Sequence, residues 1–553
     1  MGTRWKPWLP IGIALASFFV FLAVSAGRRI GTYGLETDFY GDYAPDAARL
    51  RAGEIPQNGY QGPGYPAILA LTTGVVKDPF WAGRLISVAS AATVGLLAFA
   101  LFRRLFGYWT GVGSQLLVLV SGIFPRLAVT ASTDILFLML CLAALVAFCR
   151  TELPAPWRVG IAGLLTGMAY LTRYNGVFLI PVFLGGIGGL KSFGPGAWRR
   201  IRLSCLFLGL SFLVALPWFY ANLRHNGSAL FNLNHLNIAT EFYGDRFGAD
   251  KTGDGTAIMS ERFDSLSEVV RYDPLSILRQ YPANLWKSLR HSLSTRLVGP
   301  LVGIAAIVGV VVALWKRRSG FLAIIALAWA LYFLLMALNH FEPRYYLFPA
   351  VIYAGLAAYA AVRLGDWAAR RGRGFLRTRA TGVLAFALLW ALSLRASAAD
   401  VRTFLRTEPI EVLDACAYLR GQGIRDARIL ARKPHLAFVC QQRNVAFPRV
   451  QSVEELRRSL AGTPVDYVVI SSVEISKRRG LASLQDPAAA PPWLAAVWVH
   501  EDPLFILFKP AVVPLAGRAR YDDVMELGPY SGLAVETRQE MVTRAREASS
   551  PSP

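Results

Sequence analysis

Charge is scarce in this chain, with Asp, Glu, Lys and Arg together only 17% of 553 residues. A soluble globule of this size carries more, so the shortage argues against one. Histidine is rarer still, at six residues, and cysteine numbers five. Neither is spaced as metal ligands are, and HExxH, Walker, GxSxG and GxGxxG patterns are missing. Metal hydrolases, nucleotide-binding folds and α/β-hydrolases therefore lack support. Cys141, Cys149 and Cys205 lie in apolar stretches and read as small packing residues. Cys416 and Cys440 lie in the polar tail, where a disulfide is expected if that tail is exported.

What is abundant is hydrophobic side chain, 54% of the chain, with 32 Phe, 21 Tyr and 14 Trp. This is the composition of a polytopic membrane protein. The formal net charge of +22 could suggest nucleic acid, yet the basic residues cluster in short loops between apolar runs, as orientation signals do. Windows long enough to span lie near 8–26, 80–102, 108–125, 132–149, 158–173, 176–190, 203–221, 298–315, 320–338, 345–363 and 380–397. That predicts an all-α membrane protein of about eleven transmembrane helices. The first run ends in VSAG, which resembles a cleavage site, but it is read as an uncleaved helix.

Threading the spans alternately with the N-terminus inside puts Arg103 and Arg104, Arg150 and Arg158, Lys191 to Arg202, Lys316 to Arg318 and Arg363 to Arg379 on the inner side. Short outer turns hold single arginines, Arg126, Arg173 and Arg344. The expectation is therefore a multi-pass protein of the cytoplasmic (inner) membrane, N-terminus cytoplasmic and C-terminal domain extracytoplasmic. Residues 1–398 form the transmembrane domain, with outer loops 27–79 and 222–297; residues 399–537 form a small α/β domain, and 538–553 a disordered tail. In the α/β part, EVLDACAYLRGQG and SVEELRRSLAG read as helices. ARILA, HLAFVC, VDYVVISS and WLAAVWVHEDPLFILFKP read as strands.

The first outer loop, LETDFYGDYAPDAARLRAGEIPQNGYQGPGYPAILAL, sets Asp38, Asp42 and Asp46 among aromatics at the height of a lipid headgroup. A carboxylate there can act as general base for an acceptor hydroxyl. Asp38 is the first candidate; Asp42 is a rival, and Asp46 after Pro45 suits a helix start. PDAARLRAG reads as a short interfacial helix and PGYPAILALTTGVV as a segment too short to span. Asp134 enters the fourth span from outside, where Ser132, Thr133 and Asp134 also suit N-cap chemistry. Arg344, between Glu342 and Tyr345, can grip a phosphate with its planar fork or snorkel against Glu342. Arg173 in LTRYNG is a similar case.

Taken in order, DFY, AARL, GEIP, PGYP, TDILFL, LTRYNG, PWFYANLRHNG and EPRYYLFP resemble the GT-C superfamily of polyprenyl-phosphate-dependent glycosyltransferases. They resemble most its bacterial branch, related to protein O-mannosyltransferases and to the lipid A aminoarabinose transferase. The resemblance covers roughly 8–365 and rests on order and topology. It implies a GT-C-like fold and transfer of a hexosyl or pentosyl group, with inversion, from a polyprenyl-phosphate donor to an extracytoplasmic hydroxyl of a glycan, lipid or protein. It also implies Asp38 as catalytic acid of the first loop, Asp134 as that of the second, and Tyr60 near the lipid phosphate. That transferase has a lysine where this chain has Gly62, and the β-trefoil insert of eukaryotic mannosyltransferases is missing here. Arg344, Tyr345 and Arg173 complete the expected phosphate contacts. No cofactor is required by this logic, which leaves room for a divalent metal. The partners are the lipid-linked donor, the acceptor and the bilayer, not nucleic acid. A secondary transporter or lipid flippase is the alternative, but such proteins show repeats and midplane charges, and here the charges sit at the outer span ends.

Overall fold

Helix fills most of each apolar window in the computed structural model, which describes residues 7–56, 58–249, 255–316, 320–371 and 378–511, but the window 108–125 is divided into Tyr108–Leu119 and the short Phe124–Ala128 by a turn at 120–123. The expected tail 538–553 and the basic residues Arg317, Arg318 and 372–377 lie outside the described residues. Among the described residues five helices are long and apolar enough to cross a membrane: Leu9–Ala26, Pro79–Phe106, Ala197–Asn226, Pro343–Arg370 and Ala380–Gly421. Shorter apolar helices include Asp134–Cys149, Tyr174–Gly189, Pro300–Trp315 and Gly320–Met336.

By contacts the chain forms two compact units. The first holds residues up to 28, 60–224 and 228–406. Its centre is the helix Pro79–Phe106, opened by Asp78, whose carboxylate accepts from the N–H groups of Phe80 and Trp81 at 2.8 and 3.1 Å. It packs against Tyr108–Leu119 and Asp134–Cys149, and the small residues between Ser87 and Gly95 let those neighbours approach. The segment 222–296 folds as helices Asn234–Phe247, Gly255–Ser260, Leu266–Tyr272 and Pro274–Ser292. Leu236, Phe242, Tyr243, Met259, Phe263 and Val269 give the first three a core of their own. PGYPAILALTTGVV is the helix Gly64–Val75; at twelve residues, about 18 Å, it falls short of a bilayer. Cys141 and Cys149 are buried as expected, but Cys205 is exposed on its helix, because a helix of period 3.6 cannot turn every apolar position inward.

The second unit joins 29–59 to 407 onwards, with the short piece 225–227. The first outer loop up to Gly59 thus packs with the polar C-terminal part, although the linear reading grouped it with the spans. The reason is apolar burial: Phe39, Tyr40 and Tyr43 are buried, and Phe39 and Tyr40 meet the Phe438 ring edge to face at 6.3 and 5.0 Å. The sheet of this unit has strands β1 (Arg428–Ala431), β2 (Arg443–Ala446), β3 (Tyr467–Ser471), β4 (Leu494–His500) and β5 (Phe505–Pro510), in the order β2-β1-β3-β5-β4. β1 is parallel to β2 and β3; β5 runs antiparallel to β3 and β4. Its core includes Leu430, Val468, Ile470, Ile506 and Phe508.

HLAFVC, expected as a strand, is instead the helix His435–Cys440. So short a run cannot declare its own period, and here Pro434 starts a turn while Gln441 ends it in the left-handed region at φ 57°. Cys440 is bonded to Cys416 of the helix Ile410–Gly421, with Cα atoms 5.4 Å apart, so the bridge joins two helices. The helix Val453–Leu460 is capped by Ser452, whose Oγ accepts from Glu455 N at 3.1 Å.

Candidate functional site

Four of the six expected site residues meet in one cleft of the first unit: Asp134, Arg173, Arg344 and Tyr345 line it with Tyr332 and Phe348. Three elements deliver them. Asp134 is the first residue of its helix, whose N-cap Thr133 makes no side-chain cap bond, so capping is not what the TASTD stretch does. Instead Asp134, 4% exposed, is ion-paired to Arg173 through Oδ1. Its Oδ2 has no hydrogen-bond partner among the described residues. Arg173 leaves the helix Ala155–Thr172 with extended backbone and also donates to Thr133 Oγ1 at 3.2 Å.

Arg344 sits in a single 3-10 turn, Pro343–Tyr346, ahead of the helix from Leu347. Its Nε lies 2.8 Å from Glu342 Oε1, and His340 Nε2 lies 3.8 Å from the other carboxylate oxygen. Burial alone would raise the Glu342 carboxyl, but Arg344 and His340 outweigh it and hold it at about 2. Both arginines lie against Tyr345, with the Arg173 and Arg344 guanidinium carbons 5.0 and 5.2 Å from its ring centroid. Its backbone carbonyl accepts from Tyr332 Oη, which fixes the turn. A guanidinium presents five N–H donors in a plane, more than one carboxylate can take. Two of them flanking a tyrosine can receive an oxyanion.

Gly62 and Gly64 shape this site from below. A Cβ at Gly62 would lie 2.5 Å from Leu171 O, and one at Gly64 2.8 Å from Thr172 N. The GPG run therefore lies directly on the backbone that carries Arg173, and no side chain of any kind fits at 62. Tyr60 is not part of the cleft lining; its carbonyl accepts from Asn234 Nδ2 at 2.9 Å.

Asp38 belongs to the second unit. The chain turns helical at Thr37, passes through a π turn at Phe39–Tyr43 and continues as the helix Ala44–Ala52. Steps of four residues put Asp38, Asp42 and Asp46 on one side of this stretch. Burial first, then the charges of Asp38 and Asp46, push the Asp42 carboxyl well up, with Arg49 opposing. Asp46 is not a helix cap, since the chain is already helical before it. Its buried carboxylate is 2.9 Å from Arg49 Nη1 and accepts from Asn58 N at 3.2 Å, which ties the loop to itself. Asp38 is half-buried beside Thr37, whose hydroxyl accepts from Lys433 Nζ at 2.9 Å. Lys433 was invisible to sequence reasoning, because nothing in RKPHL announces a partner almost four hundred residues earlier. Among the described residues no group of three or more His, Cys, Asp or Glu is arranged to hold a metal ion.

The family model described as dolichyl-phosphate-mannose-protein mannosyltransferase matches residues 60–223, a stretch that holds Tyr60, Asp134 and Arg173 but neither Asp38 nor Arg344. None of the curated protein sequences matches the chain. Among solved structures the fold is similar to ArnT from Cupriavidus metallidurans bound to undecaprenyl phosphate. The TM-score is 0.51 at 14% identity, over 94% of this chain and 100% of that one. It is also similar to the apo oligosaccharyltransferase of Archaeoglobus fulgidus, with a TM-score of 0.58 at 13% identity, over 93% of this chain and 76% of that one. The same archaeal enzyme, AglB, in complex with an inhibitory peptide and a dolichol-phosphate gives 0.56 at 15%, over 93% and 76%.

Proposed function

We propose that this chain is a glycosyltransferase of the GT-C superfamily, a reading supported by the family model over 60–223 and by the similar folds above, and that it moves a sugar from a polyprenyl-phosphate carrier to a hydroxyl outside the cytoplasmic membrane. The observation that carries the reading is the buried cleft in which Arg173 and Arg344 flank Tyr345 beside Asp134. A lipid monophosphate is the leaving group such a pair suits, and the similar ArnT and AglB structures hold undecaprenyl phosphate and dolichol-phosphate.

In the proposed reaction the Asp38 carboxylate takes the proton of the acceptor hydroxyl. The acceptor oxygen bonds to the anomeric carbon from the face opposite the phosphate, and the bond from that carbon to the phosphate oxygen breaks, with inversion. The carrier leaves as polyprenyl monophosphate. Arg173 and Arg344 meet the charge that gathers on its oxygens, and Tyr345 sets the spacing between them. Fixed positive charge aimed at a developing oxyanion lowers the barrier without reorganisation during the step.

The test is transfer of radiolabelled sugar from the polyprenyl-phosphate pool of membranes, normalised to protein level, with the glycans of a deletion strain compared by mass spectrometry. Wild type should transfer, and the deletion should lose one glycan decoration. Asp38→Asn should lose roughly a hundredfold or more, the usual scale of a general base. Asp42→Asn and Asp46→Asn should lose less. Arg344→Ala should impair transfer, with Arg344→Lys recovering part, because the planar fork is gone. An unchanged glycan profile together with normal transfer by all of these variants would overturn the reading.

A further inference from the structure

The C-terminal sheet has a topological switch point. From β1 the chain moves to β2 on one side, then crosses to β3 on the other. In open α/β sheets the crevice beyond the carboxyl ends of two such strands is where ligands bind. Here that crevice is lined by Lys433 and His435, which follow β1, by Ser471 and Glu474 at the end of β3, and by Tyr33. Tyr33 comes from the first outer loop. The loop fills its own domain's crevice: Tyr33 Oη donates to Glu411 at 2.9 Å, His435 Nε2 lies 3.2 Å from Thr32 O, and Tyr40 stacks on the His435 ring at 4.5 Å. Lys433 Nζ reaches Thr37 Oγ1 at 2.9 Å, one residue from Asp38. The Thr37 hydroxyl in turn donates to the Tyr33 carbonyl, which locks the turn.

We propose that the switch-point crevice is a socket for the first outer loop and that Lys433 is a positioning residue for the reaction, its ammonium holding the Thr37–Asp38 turn. The proposal rests on Asp38 being the base. A cation on that turn fixes the loop through a charge-assisted hydrogen bond to Thr37. The charged and titratable groups around Lys433 are Asp38 from the loop, Arg432 and His435 from its own segment, Glu474 and Lys477 from the helix Ser472–Lys477, and the Tyr33–Glu411 pair in the same crevice. Burial first, then Arg432, brings Lys433 down to about 8, with Asp38 and Glu474 opposing. The ammonium therefore predominates at pH 7 and is lost as pH rises through 8. Arginine at the same place would stay protonated.

The experiment measures transfer from the radiolabelled polyprenyl-phosphate sugar pool of membranes between pH 6.5 and 9.5, for wild type, Asp38→Asn, Lys433→Met and Lys433→Arg. Wild type should lose activity as pH passes about 8. Lys433→Met should fall about tenfold or more at pH 7, within the range of a single charge-assisted contact. Lys433→Arg should keep a good part of the activity and shift the alkaline limb upward. Wild-type rates from Lys433→Met, with Asp38→Asn inactive, would overturn the positioning role and leave the base standing. Activity in Asp38→Asn would overturn the base and this proposal with it. If Lys433→Met does not accumulate, Lys433→Arg decides: an alkaline limb still at pH 8 overturns the proposal.

Discussion

The ion pair of Asp134 and Arg173 is the residue-scale feature with the largest stake, because both partners are mostly buried. Removing one partner of such a pair leaves an uncompensated charge and costs about 3–5 kcal/mol. Asp134→Asn should accordingly lower the melting temperature of the purified protein in detergent. Asp134→Asn with Arg173→Gln should cost less than the sum of the single changes, since neither charge then remains alone. Additive losses would show that the two do not act as a pair. Gly62 gives a second prediction at this scale. Its absent Cβ would meet Leu171 backbone, which cannot swing aside as a side chain does. Gly62→Ala should destabilise by about 1–3 kcal/mol and disturb Arg173. Gly74→Ala, with nothing within 4 Å of its Cβ, is the control and should match wild type in both melting temperature and transfer.

Among the elements, the short helix His435–Cys440 holds the second unit together from three sides. It carries the disulfide to the helix Ile410–Gly421, stacks Phe438 on the aromatic π turn, and follows the segment that presents Lys433. The bridge closes a loop of 24 residues, for which the chain-entropy model gives about 3 kcal/mol. Cys416→Ser with Cys440→Ser should therefore leave the first unit intact while making residues 407–511 more sensitive to protease. Equal sensitivity with and without the bridge would mean that packing alone holds these helices. Cys205, exposed on its own helix, should react with thiol reagents that leave Cys141 and Cys149 untouched.

On the scale of the whole molecule, the second unit should respond to acid in a way the first does not. Burial first, then Lys433, brings His435 down to about 3 from an ordinary value near 6.5. The unfolded chain therefore binds a proton below pH 6.5 that the folded one refuses. The stability this neutral histidine represents is complete above 6.5 and declines as pH falls towards 3. Burial raises the Glu411 and Glu474 carboxyls, which works in the opposite direction as they protonate. The comparison must be with His435→Gln: thermal unfolding of the second unit between pH 7.5 and 5 should fall in wild type and flatten in the variant. A parallel decline in both would assign the acid response to other groups. Orientation is checked separately, by reporter fusions after Arg373 and Lys509, which should report the cytoplasmic and outer sides. The same side for both would rule out the eleven-span threading.

Hydropathy alone determined that this is a chain of apolar, span-length helices, because burying backbone in lipid permits long apolar helices and little else. Asp134, Arg173 and Arg344 could be singled out as candidates too, since charge beside an apolar run stands out against its surroundings. Tertiary structure decided which of them meet. Asp134 finds Arg173 across 39 residues, and Tyr345 meets Arg173 from far along the chain. Such pairings depend on how helices pack, which local pattern does not encode. The same holds for the loop and its socket: Thr37 and Lys433 are 396 residues apart, and burial of Phe39 and Tyr40 against the His435–Cys440 helix brings them together. Local sequence carries period and capping. Long-range contacts are chosen by the apolar area they bury and the charges they satisfy, and both are properties of the folded chain.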